Sequence, residues 1–345
     1  MSSPILFRIM QSTSSFLDPR KEFELTTQPF QVRLDPLTGR SGHFSHFGAI
    51  KPQPLDMGSY ERPEVKGFCP FCPDKRARYT PRFTQEIVPE GQMARGEALL
   101  VPNLYPYDVY SAVVIMTEGH VVPLDRFTES NLSDALALGV HFLKAVRAAQ
   151  PALPFHIMTW NYMPPSGGGL VHPHQQYFAT PQPGNQYLNE LGASEDFFKG
   201  HGVSFWSELI AEEQGRDERY IGKVGTSHWL SSFVSLGVLG DVVAILPERF
   251  CIDDITDADI ADVTSGLLKL FRYFQESGIH SFNAAWFFGP GSQTCFPIHL
   301  RIIPRTFLNM RDYAPDVNFF QALLVEPVSV VLPEDLCAQI KPFFV

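Results

Sequence analysis

Two stretches of the chain carry apolar residues at helical spacing. Leu132, Leu136, Val140 and Leu143 step by four, four and three, and Thr128 or Ser130 can cap the helix they predict. Ile260, Val263, Leu267, Leu270 and Phe274 keep the same spacing and predict a second helix over 257–275. Short apolar runs that read as strands frame each helix. Around the first they are 99–101 and 112–116 before it and 155–162 and 170–179 after it; around the second, 229–235 and 242–246, then 282–288 and 296–303. A glycine-bearing loop separates the last two strands of each set, Ser166-Gly167-Gly168-Gly169 in one and Gly289-Pro290-Gly291 in the other. Trp160 precedes His172 by twelve residues, and Trp286 precedes His299 by thirteen. The order strand, strand, helix, strand, loop, strand thus occurs twice. It predicts an α+β fold of two tandem halves, 1–180 and 181–345, sharing antiparallel sheet with helices packed on one face. Ahead of the first set, Pro36 and Gly39 predict a turn within 33–39.

Composition narrows the class of protein. The 345 residues are 44% hydrophobic and 19% charged, the latter below the roughly 25% of ordinary soluble domains, so an extensive core is expected. Lys and Arg number 27 against 37 Asp and Glu, a net charge of −10 with no long basic run, which argues against a nucleic acid partner. A small anion stays open, because a few amides and backbone N–H groups suffice to hold one phosphate. The most apolar stretch, 233–246, is broken by Gly237, Gly240 and Asp241 and is shorter than the ~20 residues of a spanning helix, so no membrane partner is expected. The chain does not begin with a basic head and apolar core, and its five cysteines are too scattered for a disulfide scaffold. Reduced thiols in a cytoplasm are the simpler expectation, with Cys251, Cys295 and Cys337 as small core residues.

Two motifs carry chemistry. Cys69-Pro70-Phe71-Cys72 fits either a redox dithiol or half of a tetrahedral metal site. The redox form should open a helix whose N-terminus lowers the first thiol's pKa, but Pro73, Asp74 and the basic run 75–78 offer no apolar helical face. The metal form needs two further ligands. In His172-Pro173-His174-Gln175-Gln176, a strand would put His172, His174 and Gln176 on one face. They are either spare histidines on a solvent-facing edge, or an imidazole nucleophile toward phosphorus with Gln176 donating to a phosphate oxygen. Gly167, Gly168 and Gly169 suit the second alternative, since they present backbone N–H groups with no side chain in the way.

Together with Asp35-Pro36-Leu37-Thr38-Gly39, Pro102-Asn103, Glu118-Gly119-His120, Asn161 and Ser227-His228-Trp229, these motifs resemble the histidine-triad (HIT) superfamily in its galactose-1-phosphate uridylyltransferase-like branch, over residues 33–305. The resemblance implies two tandem HIT-like halves and a structural zinc ion on Cys69, Cys72, His120 and His172. It implies a nucleophilic His174, Gln176 on the non-bridging phosphate oxygen, and substrate contacts from Lys51, Asn103, Asn161 and the loop Gly167, Gly168, Gly169. The implied reaction is ping-pong. A nucleoside diphosphate sugar or related small-molecule donor leaves its nucleoside monophosphate on His174, and a phosphate or sugar-phosphate acceptor removes it. A homodimer is implied as well.

The chain also departs from the family. Gly168 and Gly169 stand where relatives carry hydroxyl or thiol groups, and Gly48 stands for an arginine. Many uridylyltransferases hold a second metal on a glutamate and three histidines. Here Glu190 and His299 remain, but the other two positions read Phe287 and Arg301, so no second metal is expected. The hexose-recognition segment has no counterpart in 309–336. The expected activity is therefore a nucleotidyltransferase or phosphorylase without carried-over galactose specificity. Hydrolysis of a nucleotide sugar or dinucleotide, and nucleotide binding without turnover, are the alternatives.

Overall fold

The computed structural model describes residues 3–45, 50–291 and 294–345. A hairpin of β1 (Arg8–Asp18) and β2 (Glu24–Leu34) is continued by β3 (Ser41–Ser45). The predicted turn joins β2 to β3. Asp35 accepts from the N–H groups of Leu37 and Thr38 at 3.1 and 2.8 Å, and Gly39 takes φ +73°, where a side chain is strained. Three short helices follow, α1 (Met57–Tyr60), α2 (Pro63–Gly67) and α3 (Pro73–Tyr79).

The chain then builds a ten-stranded antiparallel sheet in two passes. The first comprises β4 (Met93–Arg95), β5 (Ala98–Pro102), β6 (Tyr110–Ile115), helix α4 (Glu129–Ala149), β7 (Phe155–Tyr162) and β8 (His174–Thr180). Helices α5 (Asn185–His201) and α6 (Phe205–Arg216) lead to the second. It comprises β9 (Tyr220–Val224), β10 (Ser227–Ser231), β11 (Val242–Leu246), helix α7 (Asp257–Glu276), β12 (Ser281–Phe288) and β13 (Ile298–Arg305). Across the sheet the order is β4-β5-β6-β8-β7-β12-β13-β11-β10-β9, the same from either end once the passes are matched. Thr159 of β7 pairs with Ala285 of β12. Outward from that pair lie Gln176 and Val113 on one side, Arg301 and Val243 on the other. A local two-fold through Thr159 and Ala285 thus relates Trp160 to Trp286, Gln176 to Arg301 and His174 to His299. The tryptophan spacings set His172 against His299; the register corrects that match to His174.

Thr128 and Thr256 cap α4 and α7, each in a reciprocal capping box with Asn131 or Asp259. The apolar stripes of both helices cover one sheet face. There Leu132, Leu136, Val263 and Leu270 join Trp160, Tyr162 and Phe282 in the core, and truncating one of these aromatics should cost about 3–5 kcal/mol. Two glycines permit the approach: a Cβ on Gly139 would collide with the Tyr177 ring, and one on Gly266 with that of Trp229.

Some elements escape the sequence pattern. All of β1 but Asp18 is exposed, so it shows no alternation. Helix α5 buries Glu190 and Ser194 beside Tyr187 and Leu191, and α6 buries Glu213, so polar residues interrupt both stripes. The strand expected over 170–179 begins at His174, because His172 turns into the interior and is wholly buried. No helix among the described residues is long and apolar enough to cross a membrane.

Candidate active site and metal cluster

Cys69 follows α2, Cys72 is the N-cap of α3, His120 comes from the loop after β6, and His172 from the loop before β8. These four buried residues each bring one ligand atom within 4.8 Å of the others, a Cys2His2 cluster able to coordinate a metal ion. Cys69 Sγ is 3.7 Å from His172 Nδ1; Cys72 Sγ is 3.5 Å from His120 Nδ1 and 3.9 Å from His172 Nδ1. Tetrahedral zinc, with Zn–S near 2.3 Å and Zn–N near 2.0–2.1 Å, needs S···N edges of about 3.6 Å, so the residues fit. His172 Nε2 donates to Thr117 O at 2.8 Å, which leaves the Nδ1 lone pair facing the sulfurs. Burial lowers the pKa of His172 to about 4 and keeps it neutral. Burial and the adjacent Cys69 push the Cys72 thiol up to about 11, so a cation in contact is what would make it a thiolate.

At this knuckle the expected lack of an apolar helical face holds, since α3 buries none of its residues, but the lack of a helix does not. A seven-residue helix does follow Cys72, starting at Pro73, where a missing N–H costs nothing. A reactive dithiol is disfavoured instead by the two imidazoles that close on the sulfurs and by the upward shift of Cys72.

Tyr177 packs under Gly139 of α4, so alternation turns His174 and Gln176 to the opposite sheet face, where both are half-buried. His172 does not share that face. His174 Nδ1 donates to His172 O at 2.8 Å, which leaves the lone pair on Nε2. Phe71 of the knuckle meets both rings edge-on, at 6.1 Å from His172 and 5.3 Å from His174. Burial holds the His174 pKa below its usual 6.5, so the imidazole is neutral near pH 7.

Asn161, two residues past the Thr159–Gln176 pair, reaches the register of His174 on the same face. Its Oδ1 accepts from Asn283 Nδ2 at 2.6 Å, and that amide also donates to Ser166 O at 2.9 Å. Arg305 donates to Asn283 Oδ1 and is itself clamped by both carboxylate oxygens of Asp316, at 2.6–3.0 Å. Sequence reasoning misses Asn283, Arg305 and Asp316, which come from the second half and the chain beyond it. The available signal is Asn283 itself, an amide flanked by apolar residues in β12. In the glycine loop, Gly167 has φ +82° and a Cβ on Gly168 would lie 3.1 Å from Asn161 O; around Gly169 there is room for a side chain.

The remaining predicted contacts are more distant. Lys51 is exposed, and its segment is anchored where Gln53 N–H donates to Thr306 Oγ1 at 2.9 Å, next to Arg305. Asn103 is not beside His174. Its N–H donates to Ser111 O, and Ser111 pairs with Phe178, four residues or roughly 13 Å along β8. Gly48 lies outside the described residues.

No family model matches the chain. A protein of Archaeoglobus fulgidus described only as uncharacterized is 27% identical over 315 residues, which is 90% of this chain and 91% of that one. An ADP-glucose phosphorylase from Arabidopsis thaliana, solved with bound ADP-glucose, matches with a TM-score of 0.70 at 16% identity over 90% of this chain and 98% of its own. A galt-like protein from Arabidopsis thaliana gives 0.69 at 16% identity, with 90% and 98% covered. A uridylyltransferase gives 0.64 at 20% identity, with 91% and 98% covered. The chain has this fold. At such identities the likeness to solved structures is one of architecture, and the chemistry rests on the residues.

Proposed function

We propose that this chain is a nucleotidyltransferase or phosphorylase of the galactose-1-phosphate uridylyltransferase-like branch of the HIT superfamily, moving a nucleoside monophosphate through His174. The observation that carries the reading is the His174 ring, fixed through Nδ1 to His172 O at 2.8 Å with its lone pair on Nε2, with Gln176 on the same strand face. In the first step Nε2 attacks the α-phosphorus of a nucleoside diphosphate sugar. The N–P bond forms as the bond to the bridging oxygen breaks, and the sugar phosphate leaves with that electron pair. In the second step an oxygen of phosphate or of a sugar phosphate attacks the same phosphorus, and the N–P pair returns to Nε2. Gln176 donates to a non-bridging oxygen, and the N–H groups of Gly167, Gly168 and Gly169 hold the phosphates. Asn161, steadied by Asn283, meets the ribose or phosphate; Lys51 meets phosphate; Asn103, roughly 13 Å along the strand, suits the base.

Cys69, Cys72, His120 and His172 would hold a structural zinc ion, which with four protein ligands has no open position for substrate. Its part is to fix His172, whose carbonyl orients His174. We read residues 1–180 and 181–345 as tandem HIT-like halves from a duplication, a reading supported by the local two-fold, with the chemistry in the first. The enzyme would act on small nucleotides as a homodimer in a cytoplasm.

The test is incubation with UDP-, ADP-, GDP- and CDP-linked sugars followed by intact mass spectrometry. One donor should add the mass of one nucleoside monophosphate, and His174→Ala should add none. Exchange of labelled phosphate or sugar phosphate then separates the acceptors, and water as acceptor would make the enzyme a hydrolase. A protein that gains no adduct and exchanges with no donor would bind nucleotide without turnover, the reading favoured by the missing side chain at Gly169.

A further inference from the structure

The local two-fold puts His299 and Arg301 where the first half has His174 and Gln176. His299 keeps the same lock, Nδ1 donating to Pro297 O at 3.0 Å. Its surroundings differ. Trp206 and Phe287 both stack on the imidazole, with centroids 4.2 and 4.9 Å away, and Nε2 faces Glu190 Oε2 at 3.3 Å. The other Glu190 oxygen accepts from Gln186 at 2.6 Å and from Arg301 at 3.1 Å. Arg301 also donates to Asp241 at 3.1 Å and to Ser232 at 3.2 Å. Glu190, Asp241, His299 and Arg301 are all at least nine-tenths buried.

Two carboxylates removed from water need a positive charge among them. Arg301 supplies it, one guanidinium bridging Glu190 to Asp241. Burial alone would raise the pKa of Glu190, but the Arg301 charge and the His299 hydrogen bond outweigh it and bring the group to about 2. The second metal of the uridylyltransferase resemblance does not fit these residues. Both Glu190 oxygens are engaged, both His299 nitrogens face oxygen acceptors, Phe287 has no lone pair, and a fixed cation already sits 3.1 Å from the carboxylate. Among the described residues, ligand atoms converge in a group of three or more at the cysteine cluster alone.

We infer that the Arg301 guanidinium takes the place of a divalent ion in the second half, and that Arg301 and Phe287 together limit the chain to one metal ion. Phe287 is the direct cross-strand partner of His299, and Arg301 is two residues further along on the same face. Imidazoles at these two positions would converge with His299 on Glu190. Elemental analysis of the wild-type protein after dialysis against excess zinc should give one equivalent per chain. The Phe287→His/Arg301→His double variant should give two, and adding Glu190→Gln should return it to one. In cobalt(II)-loaded protein, the added equivalent should lack the thiolate charge-transfer band of the first. If the double variant does not fold, Arg301→His alone supplies three ligands and should gain the ion more weakly. A wild type with two equivalents, one of them lost in Glu190→Gln, overturns the inference, as does a folded double variant with no added ion. A wild type with none would count against the cysteine site, and the gain in the double variant would still decide this inference.

Discussion

His174 and His299 are equivalent about the local two-fold, and each donates Nδ1 to the carbonyl two residues earlier, at 2.8 and 3.0 Å. Beyond that shared lock the two diverge. His174 is half-buried beside Gln176, a side chain able to donate to a phosphate oxygen. His299 is wholly buried beneath α5 and α6, which bring Glu190 and Trp206 onto it, and its neighbour Arg301 is committed to two carboxylates. The same strand position and the same Nδ1 lock therefore serve as a candidate nucleophile in one half and as a packed structural element in the other. Access and the neighbour two residues on make the difference.

The strongest way to break this comparison is to remove each histidine in turn. His174→Ala should lower kcat by about 10⁴-fold or more, while His299→Ala should leave it within about threefold and lower the Tm, in steady-state assays with the donor that labels the enzyme. Equal losses would put the chemistry in both halves. Next in size is the pair Arg301 and Gln176. Arg301→Met strands two buried carboxylates and should cost about 3–5 kcal/mol in urea unfolding, whereas Gln176→Ala, half-buried and paired with no buried charge, should cost less than about 1 kcal/mol. The helix side sharpens the likeness between halves instead. Gly139→Ala and Gly266→Ala should each cost about 1–3 kcal/mol through contact with Tyr177 of β8 and Trp229 of β10, strands that the two-fold does not exchange, and a cost confined to one would show that only one helix is pressed onto the sheet at its glycine. The smallest effect is on pH dependence. Because burial holds the His174 pKa below 6.5, kcat/KM should rise along an acid limb with its midpoint below 6.5 and then level off. A midpoint above 6.5 would mean that a negative charge stabilises the protonated ring.

The repeated sheet-and-helix order follows from apolar spacing, because α4 and α7 each bury one continuous stripe against it. The metal cluster is foreshadowed by Cys69-x-x-Cys72, yet nothing in local sequence ties it to His120 or His172. Those come from separate loops, and the family resemblance supplies them. What stays hidden depends on contacts between distant strands. Asn283 meets Asn161 because β12 pairs with β7 at the junction of the halves, and Asp316 reaches that pair through Arg305. Helices α5 and α6 stay hidden for another reason: Glu190 and Glu213 are buried where an amphipathic pattern would call for apolar residues. Both are paired with arginines, which no single stretch of sequence displays.

In the proposed reaction one imidazole of the related pair carries the nucleotide. Proteolysis after incubation with the reactive donor, followed by tandem mass spectrometry, tests it directly. The expected result is a nucleoside monophosphate on the peptide holding His174, none on the peptide holding His299, and none anywhere in His174→Ala. Modification at His299, or an adduct that persists without His174, would contradict it.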